Sequence, residues 1–351
     1  MLPVGGTIGI LGGGQLGRML AMAAAPLGYR CHVFTPERDS VAAEVCAEVT
    51  VAPFTDAAAL ARFAEACDAI TFEWENVPTG PLQFIADRIA PGLRALEVAQ
   101  DRVKEKRFVE GLGGTPAPFA PVASVEELAA AVDRIGVPGV LKTARDGYDG
   151  KGQWRIASSR DADAVRLPHA PCVYEGWVTY SAEFSVILVR GADGAVKFWD
   201  STENRHVGGI LSQSAWPPSD AVAAQVGPAR ELARKVADAL NYVGVLTLEF
   251  FATERGPVFN EMAPRVHNSG HWTIEGAATS QFENHIRAVA GLPLGDSTTV
   301  VARAEMDNLI GDISGAHALL ADPAAHLHLY GKSEAREGRK MGHVTRTWHD
   351  K

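Results

Sequence analysis

The sequence lacks long hydrophobic runs, has few cysteines and carries no excess of basic residues. No stretch approaches the roughly 18 consecutive apolar residues of a transmembrane helix, and the apolar segment 19–25 follows a glycine-rich turn rather than a basic leader. The cysteines lack CxxC or Cys/His metal spacing, which argues against a disulfide framework or a structural zinc site. They are Cys31, Cys46, Cys67 and Cys172. We therefore expect a soluble, cytoplasmic protein with no membrane partner.

The charge balance is acidic, with 42 Asp and Glu against 33 Lys and Arg and a formal net charge of -9. Such a surface repels the phosphate backbone of nucleic acid, so we expect a small-molecule partner instead. The 351 residues, 46% of them hydrophobic, provide enough chain for two or three globular domains of about 150 residues each.

The first hundred residues alternate between strand and helix patterns. Short apolar runs predict strands over 7–11, 31–34 and 69–72, and helical segments over 18–27 and 56–66 lie between them. This alternation predicts an α/β domain with a doubly wound parallel sheet over residues 1–100.

The segment 111–121, rich in glycine and proline, marks a boundary or hinge before a new helix over 125–135. Ser124 is its predicted N-cap, with Glu127 as capping-box partner. Hairpin-like strands follow over 140–142, 153–157, 172–175, 183–190 and 196–199, which is typical of an α+β domain. The tail 300–351 is too short to fold alone and is predicted to be an accessory unit.

Gly12, Gly14 and Gly17 form a glycine turn between the first strand and its helix. Such a turn lets backbone amides approach an anion at a helix N-terminus, as in dinucleotide-binding proteins. No clear ribose-binding acid closes the second strand, where Thr35 and Pro36 precede Glu37. An oxidoreductase of the Rossmann type that uses NAD is kept as an alternative.

The loop 145–153, RDGYDGKGQ, is a second candidate site. Its glycines allow a hairpin to fold its amides over phosphates, Lys151 adds a positive charge, and Lys142 ends the preceding strand within reach of a phosphate. The loop lacks the Walker pattern. The alternative is a solvated turn with two surface lysines.

A hairpin formed by 247–251 and 258–261 carries two acidic residues. If residues 254–256 form a three-residue loop with Gly256 in the left-handed conformation, Glu249 lies opposite Glu261. Two carboxylates about 5 Å apart repel each other unless a cation lies between them. Oxygen ligands beside a phosphate loop favour Mg²⁺. A carboxylate pair that faces solvent is the alternative.

A polar run, 264–272, follows the acidic strand. Arg265 is suited to clamp an oxyanion or a carboxylate, and Asn268 and Ser269 are suited to exchange hydrogen bonds with a substrate. We interpret His271 as structural, and His267 as equally suited to a structural or a functional role.

These features together resemble the ATP-grasp carboxylate-amine ligases over residues 101–290. Seven motifs narrow the resemblance to the 5-(carboxyamino)imidazole ribonucleotide synthases of purine biosynthesis. They are ILGGGQLGRML, TFEWENVP, QDR, GYDGKGQ, ENRHVGGIL, NEMAPRVHNSGHWT and YGKSEAREGRKMGHV. They cover nearly the whole chain.

The resemblance implies an ATP-grasp fold and a homodimer. It implies an N-terminal pre-ATP-grasp domain over 1–100, an ATP-grasp domain over 101–296 with a mobile lid at about 117–178, and a small C-terminal β unit over 297–351. The implied reaction joins bicarbonate to the amine of 5-aminoimidazole ribonucleotide through carboxyphosphate, with ATP converted to ADP and phosphate.

The resemblance also implies a role for particular residues. ATP would contact Arg102, Lys142, Gly147, Tyr148, Asp149, Gly150, Lys151, Gly152, Gln153, Glu175, Gly176, Trp177, Val178, Glu183, His206, Asn260 and Glu261. Mg²⁺ would bind Glu249 and Glu261. The ribonucleotide would contact Gln15, Leu16, Glu73, Trp74, Lys332, Arg339 and Lys340. Carboxyphosphate would be held by Tyr148, Arg265, His267, Asn268 and Lys340.

Two further alternatives share this ATP site. A ligase that uses formate or an amino acid is disfavoured by the FEWEN and GRKMGHV motifs. An inert nucleotide sensor is disfavoured because both acidic residues and both lysines of the predicted site are present.

Overall fold

The structure is a computed structural model that describes residues 1–145, 147 and 152–349. Its N-terminal part holds a parallel sheet with the strand order β3-β2-β1-β4. The elements are β1 (Thr7–Leu11), α1 (Gln15–Ala24), β2 (Arg30–Thr35), β3 (Glu48–Val51), α2 (Ala57–Glu65) and β4 (Ala69–Phe72). The predicted parallel sheet is confirmed, while β3 was not predicted because this edge strand keeps its side chains largely exposed.

Two helices, α3 (Leu93–Ala99) and α4 (Arg102–Gly111), lead from this sheet into a smaller antiparallel one with the order β5-β8-β6-β7. Its elements are β5 (Phe119–Val122), α5 (Val125–Ile135), β6 (Gly139–Thr143), β7 (Gln153–Ile156), α6 (Ser159–Ala164) and β8 (Cys172–Gly176). Ser124 caps α5 as predicted, but Glu127 accepts from the amide of Ala123 rather than from that of Ser124.

The central sheet has nine strands, and β14 and β16 are its outer strands. Its first elements are β9 (Ala182–Arg190), β10 (Val196–Phe198), β11 (Glu203–Val207), β12 (Ile210–Trp216), α7 (Asp220–Ala223), α8 (Val226–Ala239), β13 (Gly244–Thr253) and β14 (Gly256–Ala263). The chain continues with α9 (Thr273–Gly276), α10 (Gln281–Val289), β15 (Arg303–Ile310), β16 (Ala325–Leu329) and β17 (Lys340–Trp348). Strand β15 pairs with β12, so the C-terminal tail extends the central sheet.

Helix α10 joins the N-terminal sheet to the central sheet through a buried histidine. Nδ1 of His285 accepts from the amide of Val245 on β13 at 3.1 Å, and its Nε2 lies 2.8 Å from the hydroxyl of Thr71 on β4. Burial lowers the pKa of His285 to about 4. The ring is therefore neutral near pH 7 and stabilises the contact as a hydrogen-bonding bridge. Among the described helices, none has the length and apolar character needed to cross a bilayer.

An internal carboxylate fills the glycine turn before α1. Glu73, just after β4, accepts from the amides of Gly14 and Gly17 at 2.9 and 3.3 Å. Gly12 has a φ of +113°, and a Cβ atom there would lie 2.6 Å from Oε1 of Glu73. The turn therefore needs glycine in order to admit Glu73. Because that carboxylate already accepts hydrogen bonds from amides at the start of α1, the structure argues against the interpretation that this turn binds a dinucleotide.

We expect Gly12→Ala to lower the free energy of unfolding by more than about 1 kcal/mol, because a side chain at positive φ is strained and this one would also strike Glu73. Urea denaturation would measure the loss. Gly111→Ala is the matched control: it ends α4 with open space around it, and alanine there should raise stability by about 0.5–1 kcal/mol. Equal stabilities of Gly12→Ala and the unsubstituted protein would contradict the strain.

Candidate active site

A cavity of about 750 Å³ lies where the parallel sheet, the central sheet and the C-terminal strands meet. Strands β1 and β4 point their carboxyl ends at it, which is the usual position of a ligand site in an open parallel sheet. The predicted residues that line it are Gln15, Leu16, Glu73, Trp74, Arg102, Gly147, His206, Glu249, Glu261, Arg265, His267, Asn268, Lys332, Arg339 and Lys340. The structure therefore brings residues from all three parts of the chain together.

The acidic hairpin pairs Glu249 with Glu261 as predicted, but the predicted loop was wrong. Strand β14 begins at Gly256, which faces Thr253, so the turn has two residues, and the φ of Gly256 is +114° rather than left-handed helical. A β-bulge at Asn260 then shifts the register by one residue. The extra residue restores the pairing that the longer loop was expected to produce.

The two carboxylates face different partners. Oε1 of Glu249 lies 3.1 Å from Nε2 of His267, and Oε2 of Glu261 accepts from Arg102 at 3.1 Å. Burial and the negative charge of Glu261 raise the pKa of Glu249 to about 7. Burial also raises the pKa of Glu261, but the charges of Arg102 and Lys142 outweigh it and hold that pKa below its usual value.

This pair fits a hard divalent cation that is bound both by protein carboxylates and by the phosphates of a nucleotide. The described residues contain no group of three or more His, Cys, Asp or Glu side chains arranged to hold a metal ion. Mg²⁺ commonly takes one or two carboxylates and completes its shell with phosphates and water. Two opposed carboxylates that repel each other match that donor set.

A buried ion cluster lies beside the acidic hairpin. Glu175 on β8 faces Lys142 on β6 at 2.9 Å and Lys106 on α4 at 3.3 Å. Burial raises the pKa of Glu175, but the charges of the two lysines outweigh it and lower that pKa to about 2. Burial also lowers the pKa of Lys142. Lys106 was not predicted, although its spacing from Arg102 puts both residues on one helix face.

Glu183 and His206 form a close ion pair at the edge of a second cavity of about 490 Å³. The hydroxyl of Tyr180 donates to Glu183 at 2.6 Å, and its ring stacks on Phe251 with the centroids 4.6 Å apart. Burial lowers the pKa of His206, but the bond to Glu183 and nearby carboxylates outweigh burial and raise it. Tyr180 carries no motif and was not predicted.

Two backbone amides of the segment 175–178 are hydrogen-bonded to other parts of the same domain. The amides of Gly176 and Trp177 donate to the carbonyls of Pro118 and Pro138 at 2.8 and 3.0 Å. These two amides are therefore used within the fold, and the predicted contact of this segment with ATP would have to use its other backbone groups.

The described ends of the loop 145–153 contact Arg102 and Lys142, two residues predicted to bind ATP. The carbonyl of Gly147 accepts from Arg102 at 3.0 Å, and that of Gly152, with a φ of +68°, accepts from the amide of Thr143 at 2.9 Å. Gln153 pairs with Lys142 across β6 and β7. Four predicted residues lie outside the described residues: Tyr148, Asp149, Gly150 and Lys151.

The polar run after β14 lines the cavity. Arg265 pairs with Glu75 of the N-terminal part at 2.7 Å. Burial and the charge of Arg265 lower the pKa of His267 well below its usual value. Asn268 exchanges amide hydrogen bonds with Asn308 on β15. His271 is buried, as its structural interpretation requires, and it also borders the cavity.

Ser269 was expected to contact a substrate, but it is fully buried and bonds His267 at 2.8 Å. In the tail, Lys332 donates to the carbonyl of Lys340 at 2.8 Å, and Arg339 donates to the carbonyl of Glu334 at 2.8 Å. These contacts bring the basic tail to the cavity rim.

Three family profiles match the chain. The ATP-grasp domain matches residues 107–282, the ribonucleotide synthetase preATP-grasp domain residues 6–100, and the phosphoribosylaminoimidazole carboxylase C-terminal domain residues 304–351. The chain is 49% identical to N5-carboxyaminoimidazole ribonucleotide synthase of Brucella melitensis biotype 1, over 98% of this chain and 97% of that protein.

Solved structures are similar over the same length. The N5-carboxyaminoimidazole ribonucleotide synthetase of Thermus thermophilus is 46% identical with a TM-score of 0.92, covering 98% of this chain and 94% of that one. The Aspergillus clavatus synthase, in complex with ADP and 5-aminoimidazole ribonucleotide, is 32% identical with a TM-score of 0.89 and the same coverage. The predicted ATP-grasp fold is thereby confirmed.

We expect Glu175→Gln to lower stability at pH 7 by about 3–5 kcal/mol, because the buried ammonium of Lys106 and the partly buried one of Lys142 lose their shared carboxylate. The native pKa is about 2 against a usual value of 4.5, so the carboxylate contributes fully above pH 4.5 and its contribution disappears as the pH falls toward 2. Urea denaturation at several pH values measures the difference.

The difference in stability between Glu175→Gln and the original protein should shrink below pH 4.5. A difference that stays constant down to the lowest accessible pH would contradict the role of Glu175 as the shared carboxylate of the two lysines. Glu110→Gln on the exposed side of α4 is the matched control and should change stability little at any pH.

Proposed function

Because the chain belongs to the N5-carboxyaminoimidazole ribonucleotide synthase family, we propose how its residues carry out the reaction of that family. The chain is an ATP-dependent carbon–nitrogen ligase of purine biosynthesis that carboxylates 5-aminoimidazole ribonucleotide. N5-carboxyaminoimidazole ribonucleotide is the compound also written 5-(carboxyamino)imidazole ribonucleotide. The observation that carries the proposal is the cavity shared by the acidic hairpin, the N-terminal glycine turn and the basic tail.

Bicarbonate is the proposed source of the carboxyl group. One of its oxygens attacks the γ-phosphorus of ATP, the bond to the β,γ-bridging oxygen breaks, and ADP leaves, so that carboxyphosphate forms. The phosphoryl oxygens carry the charge in this step, so catalysis needs fixed cations around them. Arg102 and Lys142 supply such charges beside the acidic hairpin.

Glu249 and Glu261 are the proposed ligands of Mg²⁺, with Asn260 beside them. When bound, Mg²⁺ supplies a positive charge that neutralises phosphate oxygens and helps orient the γ-phosphoryl group. His267 limits how Glu249 can move, because its Nε2 faces that carboxylate while its Nδ1 is occupied by Ser269. This arrangement makes His267 a hydrogen-bond donor to Glu249.

Carboxyphosphate then releases CO₂ and phosphate inside the cavity. The exocyclic amine of the ribonucleotide attacks the carbon of CO₂ and loses a proton to the released phosphate, giving the carbamate. We assign Arg265, His267, Asn268 and Lys340 to hold the intermediate, together with Tyr148 of the loop 145–153. Exclusion of water matters here, because water would consume the intermediate before the amine does.

The remaining roles follow the family resemblance. Glu183 and His206 are proposed to contact the ribose end of ATP, and the segment 175–178 its adenine. Gln15, Leu16, Glu73 and Trp74, with Lys332, Arg339 and Lys340, are proposed to contact the ribonucleotide. We also propose a cytoplasmic homodimer and the domain division 1–100, 101–296 with a lid at about 117–178, and 297–351.

We expect ADP formation to require bicarbonate and to rise when 5-aminoimidazole ribonucleotide is added. With labelled bicarbonate, the label should enter the ribonucleotide, provided that the labile carbamate is trapped promptly by a downstream mutase. Formate in place of bicarbonate is the control for a related ligase. ADP formation that depends on formate, with no label transferred from bicarbonate, would contradict the proposal.

The metal assignment predicts that Glu249→Gln and Glu261→Gln each lower the rate at least ~100-fold, or about 2.7 kcal/mol, because each removes a charge that faces Mg²⁺. Steady-state rates at saturating ATP measure the loss. Glu254→Gln, in the exposed turn of the same hairpin, is the control and should keep the original rate. Rates within about threefold of the original in both variants would overturn the metal role.

A further inference from the structure

Strand β14 is an edge strand of the central sheet, and helix α4 lies along its open side. The amide of Phe259 donates to the carbonyl of Thr115 at 2.8 Å on that side. Beyond this bond, the backbone around Glu261 contacts side chains of α4. An edge strand without such contacts would leave its backbone groups unpaired.

Three side chains of α4 contact three consecutive residues of β14. Arg102 donates to Oε2 of Glu261 at 3.1 Å. Oε1 of Glu105 accepts from the amide of Met262 at 2.6 Å, and the ammonium of Lys106 donates to the carbonyl of Asn260 at 3.1 Å. The three positions are i, i+3 and i+4 of one helix and therefore share one face.

The contact of Lys106 falls on the β-bulge. Asn260 is the extra residue that shifts the register of β14 between Phe259 and Glu261. A shift of one residue moves a side chain to the other face of a sheet, so the bulge decides whether Glu261 faces Glu249. Lys106 binds the carbonyl at the bulge, and Glu105 binds the amide just beyond Glu261.

Both α4 side chains that bind the backbone of β14 are buried, which is unusual for ionisable residues. Glu105 is 2% exposed and Lys106 is 0% exposed. Burial raises the pKa of Glu105 to about 8, and Lys106 pairs with Glu175 at 3.3 Å. Buried polar contacts of this kind contribute little net stability compared with apolar packing, so stability alone does not account for these residue types. A role in fixing the position of a neighbouring group accounts for them better.

We infer that Glu105 and Lys106 are positioning residues that hold the β14 bulge and thereby orient Glu261 toward the nucleotide-bound metal. The inference rests on the proposed function, because Glu261 is a metal ligand only in that proposal. Residues that orient a ligand typically change metal affinity by about 10–100-fold when removed.

The test measures ADP affinity by calorimetry at increasing Mg²⁺ concentrations and in EDTA. Glu105→Ala removes the acceptor for the Met262 amide, and Glu105→Gln keeps an acceptor oxygen at nearly the same place. Mg²⁺ should strengthen ADP binding. We expect Glu105→Ala to raise the Mg²⁺ concentration that gives half of the maximal gain in ADP affinity about tenfold, with little change in the ADP affinity measured in EDTA. Glu105→Gln should restore the original Mg²⁺ dependence.

Lys106→Met tests the bulge contact, with Lys104→Met on the exposed face of α4 as its control. If Lys106→Met folds, it should shift the Mg²⁺ dependence in the same direction, and Lys104→Met should not. If Lys106→Met fails to fold, the comparison of Glu105→Ala with Glu105→Gln still tests the inference. Equal shifts in Glu105→Ala and Glu105→Gln would show that the acceptor oxygen is not what matters and would overturn the positioning role, as would no shift in Glu105→Ala.

Glu261→Gln distinguishes a failure of this inference from a failure of the proposed metal site on which it rests. If Glu261→Gln leaves the Mg²⁺ dependence unchanged, the metal site itself is wrong. If Glu261→Gln shifts it while Glu105→Ala and a folded Lys106→Met do not, the metal site stands and only the positioning role is overturned.

Discussion

The repulsion between Glu249 and Glu261 is the constraint on which the rest of the site depends. Two carboxylates that face each other across a hairpin are unfavourable in the absence of compensating charge, and burial together with this repulsion raises the pKa of Glu249. The fold surrounds the pair with groups that act on one member each: His267 faces Glu249, while Arg102 faces Glu261. The two acids are therefore kept close together and available for a shared cation.

The N-terminal sheet contributes to the same cavity through a carboxylate used in a different way. Glu73 accepts from two amides at the start of α1, and these bonds lower its pKa, but burial outweighs them and raises it. Its position brings Trp74 and Glu75, just after β4, to the cavity, and Glu75 then pairs with Arg265. A motif that is typical of nucleotide binding thus connects the parallel sheet to the central sheet's active-site residues.

Local patterns in the sequence predicted some elements with their bounds but missed others, such as helices α4, α8 and α10, and they did not predict contacts between distant residues. The bounds of β1, β4 and α5 follow from apolar runs and a capping serine, and they agree with the structure. The bulge at Asn260 leaves no local signal, because the contact that holds it comes from Lys106, 154 residues earlier. The capping of α1 by Glu73 is hidden in the same way, since 59 residues separate Glu73 from Gly14. The family motifs led to the candidate site residues without predicting these contacts.

The proposed contact of Lys142 with a nucleotide requires that Lys142 leave Glu175, with which it is paired in this structure. If Glu175 had Lys142 as its sole counter-charge, moving that ammonium toward a phosphate would leave a buried carboxylate unpaired, at a cost of several kcal/mol. Lys106 lies 3.3 Å from the other oxygen of Glu175 and is fixed to the carbonyl of Asn260. The carboxylate would therefore keep a partner if Lys142 turned to a phosphate. The ammonium of Lys106, which binds the bulge beside the proposed metal ligands, would in this way also lower the cost of the proposed phosphate contact.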